Sequence, residues 1–283
     1  MKFQVFSKLH YQVYSPTTFI FSIQASRSSS QVIVEESLVT EPFIEHEEIT
    51  VAEGESRFIR LKAAANTDFT IRYQATADID YNMIHQRKLQ NTVPVNKLDA
   101  EVMPYLFPSR YCQSDKLQKL AGKEFGNIDT AYGKVAAITE WIFNNVEYTS
   151  GATNSSTSAY DTLTQRVGVC RDFAHLGIAL CRALSIPARY FTGYAYNLNP
   201  PDFHACFEAY IGGEWIFFDP TKLVPVNGLV KIANGRDAAD AAVASIFGNV
   251  FCKSITVKCE CNDPAFKPLY ISNAEDQKGL SYK

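Results

Sequence analysis

Residues 167–187, VGVCRDFAHLGIALCRALSIP, hold a helical stretch that is apolar nearly all the way round, through Phe173, Ala174, Leu176, Ile178, Ala179 and Leu180. A surface helix keeps one polar face, so this one predicts the centre of a domain with other elements packed about it. Pro187 ends the helix, because its ring blocks the helical hydrogen-bond pattern. Cys170 falls in the first turn, just after Gly168, where a missing Cβ lets the backbone come close. A sulfur there meets the positive end of the helix dipole and free N–H groups, which favour a thiolate and could hold an oxyanion. On the helix alone, Cys170 reads equally as a nucleophile or as a buried core thiol. Cys181, mid-helix among apolar neighbours, reads as core.

The next segment weighs on that choice. In residues 203–221, FHACFEAYIGGEWIFFDPT, Phe203, Ala205, Phe207, Ala209 and Ile211 alternate with His204, Cys206, Glu208 and Tyr210, which predicts a strand. Gly212-Gly213 is a two-residue hairpin turn, and Trp215, Phe217 and Asp219 alternate on the returning strand. With Ile211 opposite Glu214, Asp219 lies opposite Cys206 and diagonal to His204, about 7–8 Å away at the backbone. An imidazole and a carboxylate can close that gap, so the hairpin predicts a base with its orienting acid. An odd-length loop would change this register. His175, the competing base, lies about 140° round the helix from Cys170 and cannot turn back to it. It reads as structural, as does Asp172, each bonded to adjacent elements.

The remaining chain is organised around this core. Phe3, Val5, Leu9, Tyr11 and Val13, then Phe19, Phe21, Ile23 and Ala25, follow a period of two. Val32, Val34, Phe69, Ile71, Tyr73 and Ala75 continue it, which predicts a β-rich, sandwich-like domain over 1–108 with no chemical constellation. The pattern lapses between Asn91 and Ser114, where Pro94, Pro104 and Pro108 interrupt any regular element. Residues 109–283 form the second domain. Its first helix is expected from a Ser114 cap through Leu117, Leu120, Ala121 and Phe125, and its second over about 129–146. The polar run 149–160 is expected to be a loop.

Composition excludes several classes. Of 283 residues, 46% are hydrophobic and 20% charged, a globular balance with a net charge of -3 and no basic stripe for nucleic acid. No apolar run approaches the roughly 20 residues of a spanning helix, and no signal-peptide core forms, so no membrane partner is expected. Seven cysteines with no dense framework suggest reduced thiols in a cytoplasmic protein. Cys252, Cys259 and Cys261 have poor zinc spacing and no nearby histidine, and they read as structural. No calcium loop and no phosphate-cradling glycine loop appears, so neither metal nor cofactor is expected.

Gly168-Val169-Cys170-Arg171-Asp172-Phe173-Ala174-His175-Leu176 resembles the nucleophile motif of bacterial transglutaminase-like proteins. Phe203-His204-Ala205 and Phe218-Asp219-Pro220-Thr221 are similar to the motifs that follow it, in the same order. The resemblance is close over about 110–260, and the β-rich domain is similar to one that often precedes this core. It implies an α+β papain-like transglutaminase core, with the cysteine helix against an antiparallel sheet carrying His and Asp. It implies a Cys170–His204–Asp219 triad acting on a protein or peptide amide through a thioester. Water as acceptor gives a cysteine peptidase or amidase, the reading favoured here, and an amine gives a transglutaminase. A non-catalytic interaction protein retaining the fold is the rival class. One departure stands out: Cys206 occupies the position where the family commonly has Trp, which reads first as a tolerated packing change and otherwise as a wetter dyad or a small pocket.

Overall fold

The computed structural model describes residues 1–51, 56–270 and 278–282. The N-terminal part is built from β1 (Lys2–Val13), β2 (Thr17–Phe21), β3 (Gln31–Glu41), β4 (His46–Val51), β5 (Ser56–Ala63) and β6 (Asp68–Ile79). The alternation of β1 is realised: Phe3, Val5, Leu9, Tyr11 and Val13 are buried, and so are Phe69, Ile71, Tyr73 and Ala75 of β6. Tyr11 and Phe69 meet Phe19 and Phe21 of β2 at ring-centroid distances of 5.2–5.8 Å, so two sheets share one aromatic core. Val32 and Val34 break from the expected pattern, each more than half exposed on the edge strand β3.

One contribution inside this sandwich is electrostatic. Glu36 takes two 2.8 Å hydrogen bonds from the Arg57 guanidinium and a third, also 2.8 Å, from the Tyr73 hydroxyl. Burial alone would raise the Glu36 pKa, but these donors outweigh it and lower it from 4.5 to about 2. A depressed carboxyl pKa stabilises the fold above pH 4.5, and that contribution is lost as pH falls towards 2. We expect at most about 3 kcal/mol of acid sensitivity from this group. Urea unfolding across that window should show it, and Glu36→Gln should flatten the profile.

The second part begins with β7 (Asn82–Ile84) and the short α1 (Gln86–Leu89), then crosses the proline-interrupted stretch through brief 3-10 turns. It continues through α2 (Gln118–Phe125), α3 (Ala131–Asn145), β8 (Glu147–Tyr148), α4 (Ala159–Gln165), β9 (Val167–Gly168) and α5 (Cys170–Ala183). After these come β10 (Ala188–Ala195), β11 (Phe203–Ile211), β12 (Glu214–Phe218), β13 (Leu229–Gly235), β14 (Ala244–Phe247), β15 (Val250–Cys261) and β16 (Gly279–Ser281). The fold class is α+β: α5 packs on an antiparallel sheet of order β12-β11-β10-β13. Its all-round apolarity is explained by burial from Phe173 through Cys181. Gly177 permits the contact, since a Cβ there would stand 2.6 Å from the Phe207 ring.

Several boundaries differ from the sequence reading. Ser114 opens a 3-10 turn rather than capping α2, and α3 is capped by Thr130, whose hydroxyl accepts from Gly133 N–H at 3.0 Å. The expected loop 149–160 runs into α4, which Ser158 and Asp161 start with a reciprocal capping box. The last strands also leave the second domain. β14 pairs with β2, and β15 with β1 over almost its whole length, so a single division at residue 108 does not describe the chain. The sandwich sheets read β15-β1-β6-β3 and β14-β2-β5-β4. Polar contacts join the two parts: Tyr194 donates to Ile23 O at 2.6 Å, and Gln31 exchanges bonds of 2.8 and 2.7 Å with the Lys231 backbone.

Candidate active site

The hairpin expected from Gly212-Gly213 forms as a two-residue turn. Both glycines have positive φ, 61° and 83°, which an L side chain rarely adopts. Ile211 pairs with Glu214, and the register runs back to Phe207 opposite Phe218, so the sum of paired positions is as expected. Continued by one pair, it sets Cys206 opposite Asp219. His204 Nε2–H donates to Asp219 Oδ2 at 3.0 Å, closing the diagonal gap.

Asp219 is itself held from behind. Its Oδ1 accepts from the Thr221 N–H at 2.9 Å and from the Thr221 hydroxyl at 2.7 Å, leaving Oδ2 for the imidazole. Both partners of the dyad are dry, with side-chain exposures of 0% and 2%. Burial alone would destabilise the His204 imidazolium, yet its neighbours raise the pKa well above 6.5. Cys206 and Asp219 favour the proton, as do hydrogen bonds to Asp219 and Cys170. The thiol acts this way only as an anion, and burial pushes its own pKa up, so Asp219 is the operative partner at neutral pH. Burial likewise raises the Asp219 pKa, but His204 and then Thr221 bring it below its ordinary value. The two directions favour a protonated imidazole beside an ionised carboxylate.

Cys170 is the first residue of α5 and is partly exposed, the open end of an otherwise buried group. His204 Nδ1 is buried without an aligned hydrogen-bond partner among the described residues, which leaves it for the sulfur. Cys170 is among the groups that raise the His204 pKa, which puts it in the neighbourhood of the imidazole. The α5 N-terminus is fixed by Asp172, whose Oδ2 accepts from Val169 N–H at 3.0 Å and from Thr153 Oγ1 at 2.6 Å. Gly168 is needed there, because a Cβ would come within 2.8 Å of Asp172 Cβ. Asp172 and His175 sit apart from the dyad. His175 Nε2 accepts from Ala238 N–H at 3.1 Å, its ring stacks 5.0 Å from Tyr111, and burial lowers its pKa to about 3.

Two features were not legible in the sequence or were read differently. Tyr148 pairs with Gly168 across the short parallel β8–β9 ladder and packs 5.7 Å from the Phe173 ring. Its hydroxyl meets the thiol and backbone of Cys170; burial and then the Cys170 thiol raise its pKa to about 12. A lone Tyr at a loop entrance carries no sequence signal of such a position. Cys206 is a packing change that the core absorbs: the dyad is not wetter for its small side chain. Cys206 is fully buried, and its cross-strand neighbour Phe191 packs against Tyr282 at 5.8 Å, so the C-terminal tail closes that side.

Comparison with known proteins agrees with this architecture. Residues 1–101 match the bacterial transglutaminase N-terminal domain, and residues 118–220 match the transglutaminase-like superfamily. A crystal structure of a candidate cysteine protease from Cytophaga hutchinsonii is 64% identical, covers 100% of this chain and 98% of its own, and superposes with a TM-score of 0.97. The chain belongs to the transglutaminase-like superfamily. An uncharacterized protein of Mycobacterium leprae is 28% identical over 193 residues, 63% of this chain and 67% of that one. Another, from Mycobacterium tuberculosis H37Rv, is 36% identical over 115 residues, 35% of this chain and 36% of its own length. The transglutaminase-like match ends at Pro220, so it contains Cys170, His204 and Asp219.

Among the described residues, the side chains placed to share an ion are His204, Cys206 and Asp219. Cys252, Cys259 and Cys261 are not among them. Cys252 lies seven positions from Cys259 on one strand, roughly 23 Å away at strand rise. All seven cysteines are unpaired.

Proposed function

We propose that this transglutaminase-like protein is a thiol-dependent amide hydrolase, a cysteine peptidase or amidase working through Cys170, His204 and Asp219. The observation that carries the reading is a buried imidazole bonded to Asp219 through Nε2, with Nδ1 left for the sulfur at a helix tip. The Cys170 sulfur adds to the amide carbonyl carbon, and the π electrons move onto oxygen. Backbone N–H groups at the start of α5 would receive that charge. His204 gives its proton to the leaving nitrogen as the C–N bond breaks, which leaves a thioester and a neutral imidazole. A water then loses its proton to His204, attacks the thioester and releases the acid with the thiolate. An amine in place of that water would make the same protein an acyltransferase. Hydrolysis is favoured because water is always present and no site for an acceptor lysine is evident among the described residues.

A thiol alkylator tests the reading without a known substrate. We expect one fast thiol, Cys170, which His204→Ala slows at least about a hundredfold. Peptide mapping identifies the labelled residue. Slow, uniform labelling of all accessible thiols would favour the interaction-protein reading instead.

A further inference from the structure

We propose that His204, Cys206 and Asp219 form a binding site for a thiophilic divalent cation of the Zn²⁺ class, and that its occupation disables His204. A ring nitrogen of His204, the Cys206 sulfur and an Asp219 carboxylate oxygen all lie within 4.8 Å of one another, and all three residues are buried. Zinc bonds of about 2.0–2.3 Å put neighbouring ligand atoms roughly 3.4 Å apart, so side-chain rotations of about an ångström complete the set. The His204–Asp219 pair, at 3.0 Å, is already at such a spacing.

The donor chemistry selects the ion. Imidazole, thiolate and carboxylate together suit a borderline-soft metal, and a hard oxygen-seeking ion gains little from sulfur. Neutral His204 with the two anions balances the double charge of the ion, so the buried group stays neutral overall. The ligands are also held in advance. His204 and Cys206 are alternate residues of one strand, and the two Thr221 bonds fix the Asp219 carboxylate from behind. The partly exposed Cys170 marks the side from which an ion can arrive. Cys206 has no step in the reaction above, and coordination gives this buried thiol a use.

The binding claim stands on geometry alone; only its inhibitory consequence rests on the proposed hydrolase. Metal-stripped protein, kept reduced, would be titrated with Zn²⁺ against a competing chromophoric chelator. Wild type and Cys170→Ala should each bind one ion, and Cys206→Ser and Cys206→Val should bind at least tenfold more weakly. Circular dichroism identifies which of the two Cys206 variants is folded for the comparison. With Co²⁺, the thiolate charge-transfer absorption should persist in Cys170→Ala and vanish in the folded Cys206 variant. Zn²⁺ should slow alkylation of Cys170 more than tenfold in wild type and less than twofold, at the same concentration, in that variant. No stoichiometric binding by wild type overturns the proposal, as does cobalt absorption that follows Cys170 rather than Cys206. Slow Cys170 alkylation in metal-free wild type would instead end the hydrolase reading and leave the titration standing.

Discussion

Cys170→Ala is expected to abolish acyl transfer, a loss on the order of a millionfold, while the protein melts within a few degrees of wild type. The two halves of this expectation have different causes. The thioester cannot form without the sulfur, and no other thiol can replace it. Cys206 is buried with its pKa pushed up, and Cys181 lies mid-helix with its thiol pushed up in the same way. Stability changes little because Cys170 is only partly buried at a helix start, and the α5 terminus is held by Asp172 rather than by the sulfur. Intact-mass spectrometry after brief exposure to an activated ester gives the readout. Wild type should gain one acyl group that hydroxylamine removes, and Cys170→Ala should gain none. An alanine variant that still acylates at one site would move the nucleophile elsewhere. A wild type that never acylates would support a binding module with an idle triad.

What the sequence made legible was local. Cys170 was marked by a helix tip and an adjacent glycine, and His204 and Asp219 by a period of two interrupted by Gly212-Gly213. A turn whose two residues both need positive φ fixes the register, and the register fixes the diagonal. Contacts between distant parts of the chain left no such mark. β15 pairs with β1 across some 250 positions, as in Phe3 with Cys261, and nothing near either strand announces the other. The dryness of Cys206 belongs to the same class, since Tyr282 covers it from the far end of the chain. α4 was hidden for a different reason. Ser158-Ala159-Tyr160-Asp161 is a capping signal set in a Ser- and Thr-rich run whose composition reads as loop. Val32 and Val34 followed the right period but on an edge strand, where apolar residues are not compelled inward.

Asp219→Ala is expected to cost about 3–5 kcal/mol of stability as well as most of the activity, because it leaves a buried imidazolium without its counter-charge. His204 has no solvent to turn to, with its side chain fully covered. The group must then lose its proton or drag water into the core. The pH dependence separates this electrostatic loss from a simple cavity. Asp219 has a lowered pKa, so its contribution is present above its ordinary value of 3.8 and lost as pH falls through the folded value. His204 has a raised pKa, so its contribution is full below 6.5 and lost as pH rises through the folded value. The stability gap between wild type and Asp219→Ala should therefore be widest near about pH 5–6 and narrow towards both extremes. A cavity would give a gap that is flat with pH. Urea melts of wild type, Asp219→Ala, His204→Ala and the double variant complete a cycle. The double variant should be less destabilised than the two single losses added together, because removing the imidazole also removes the stranded charge. Additive losses with a flat pH profile would mean that His204 is neutral in the folded protein, and the imidazolium would have to leave the mechanism.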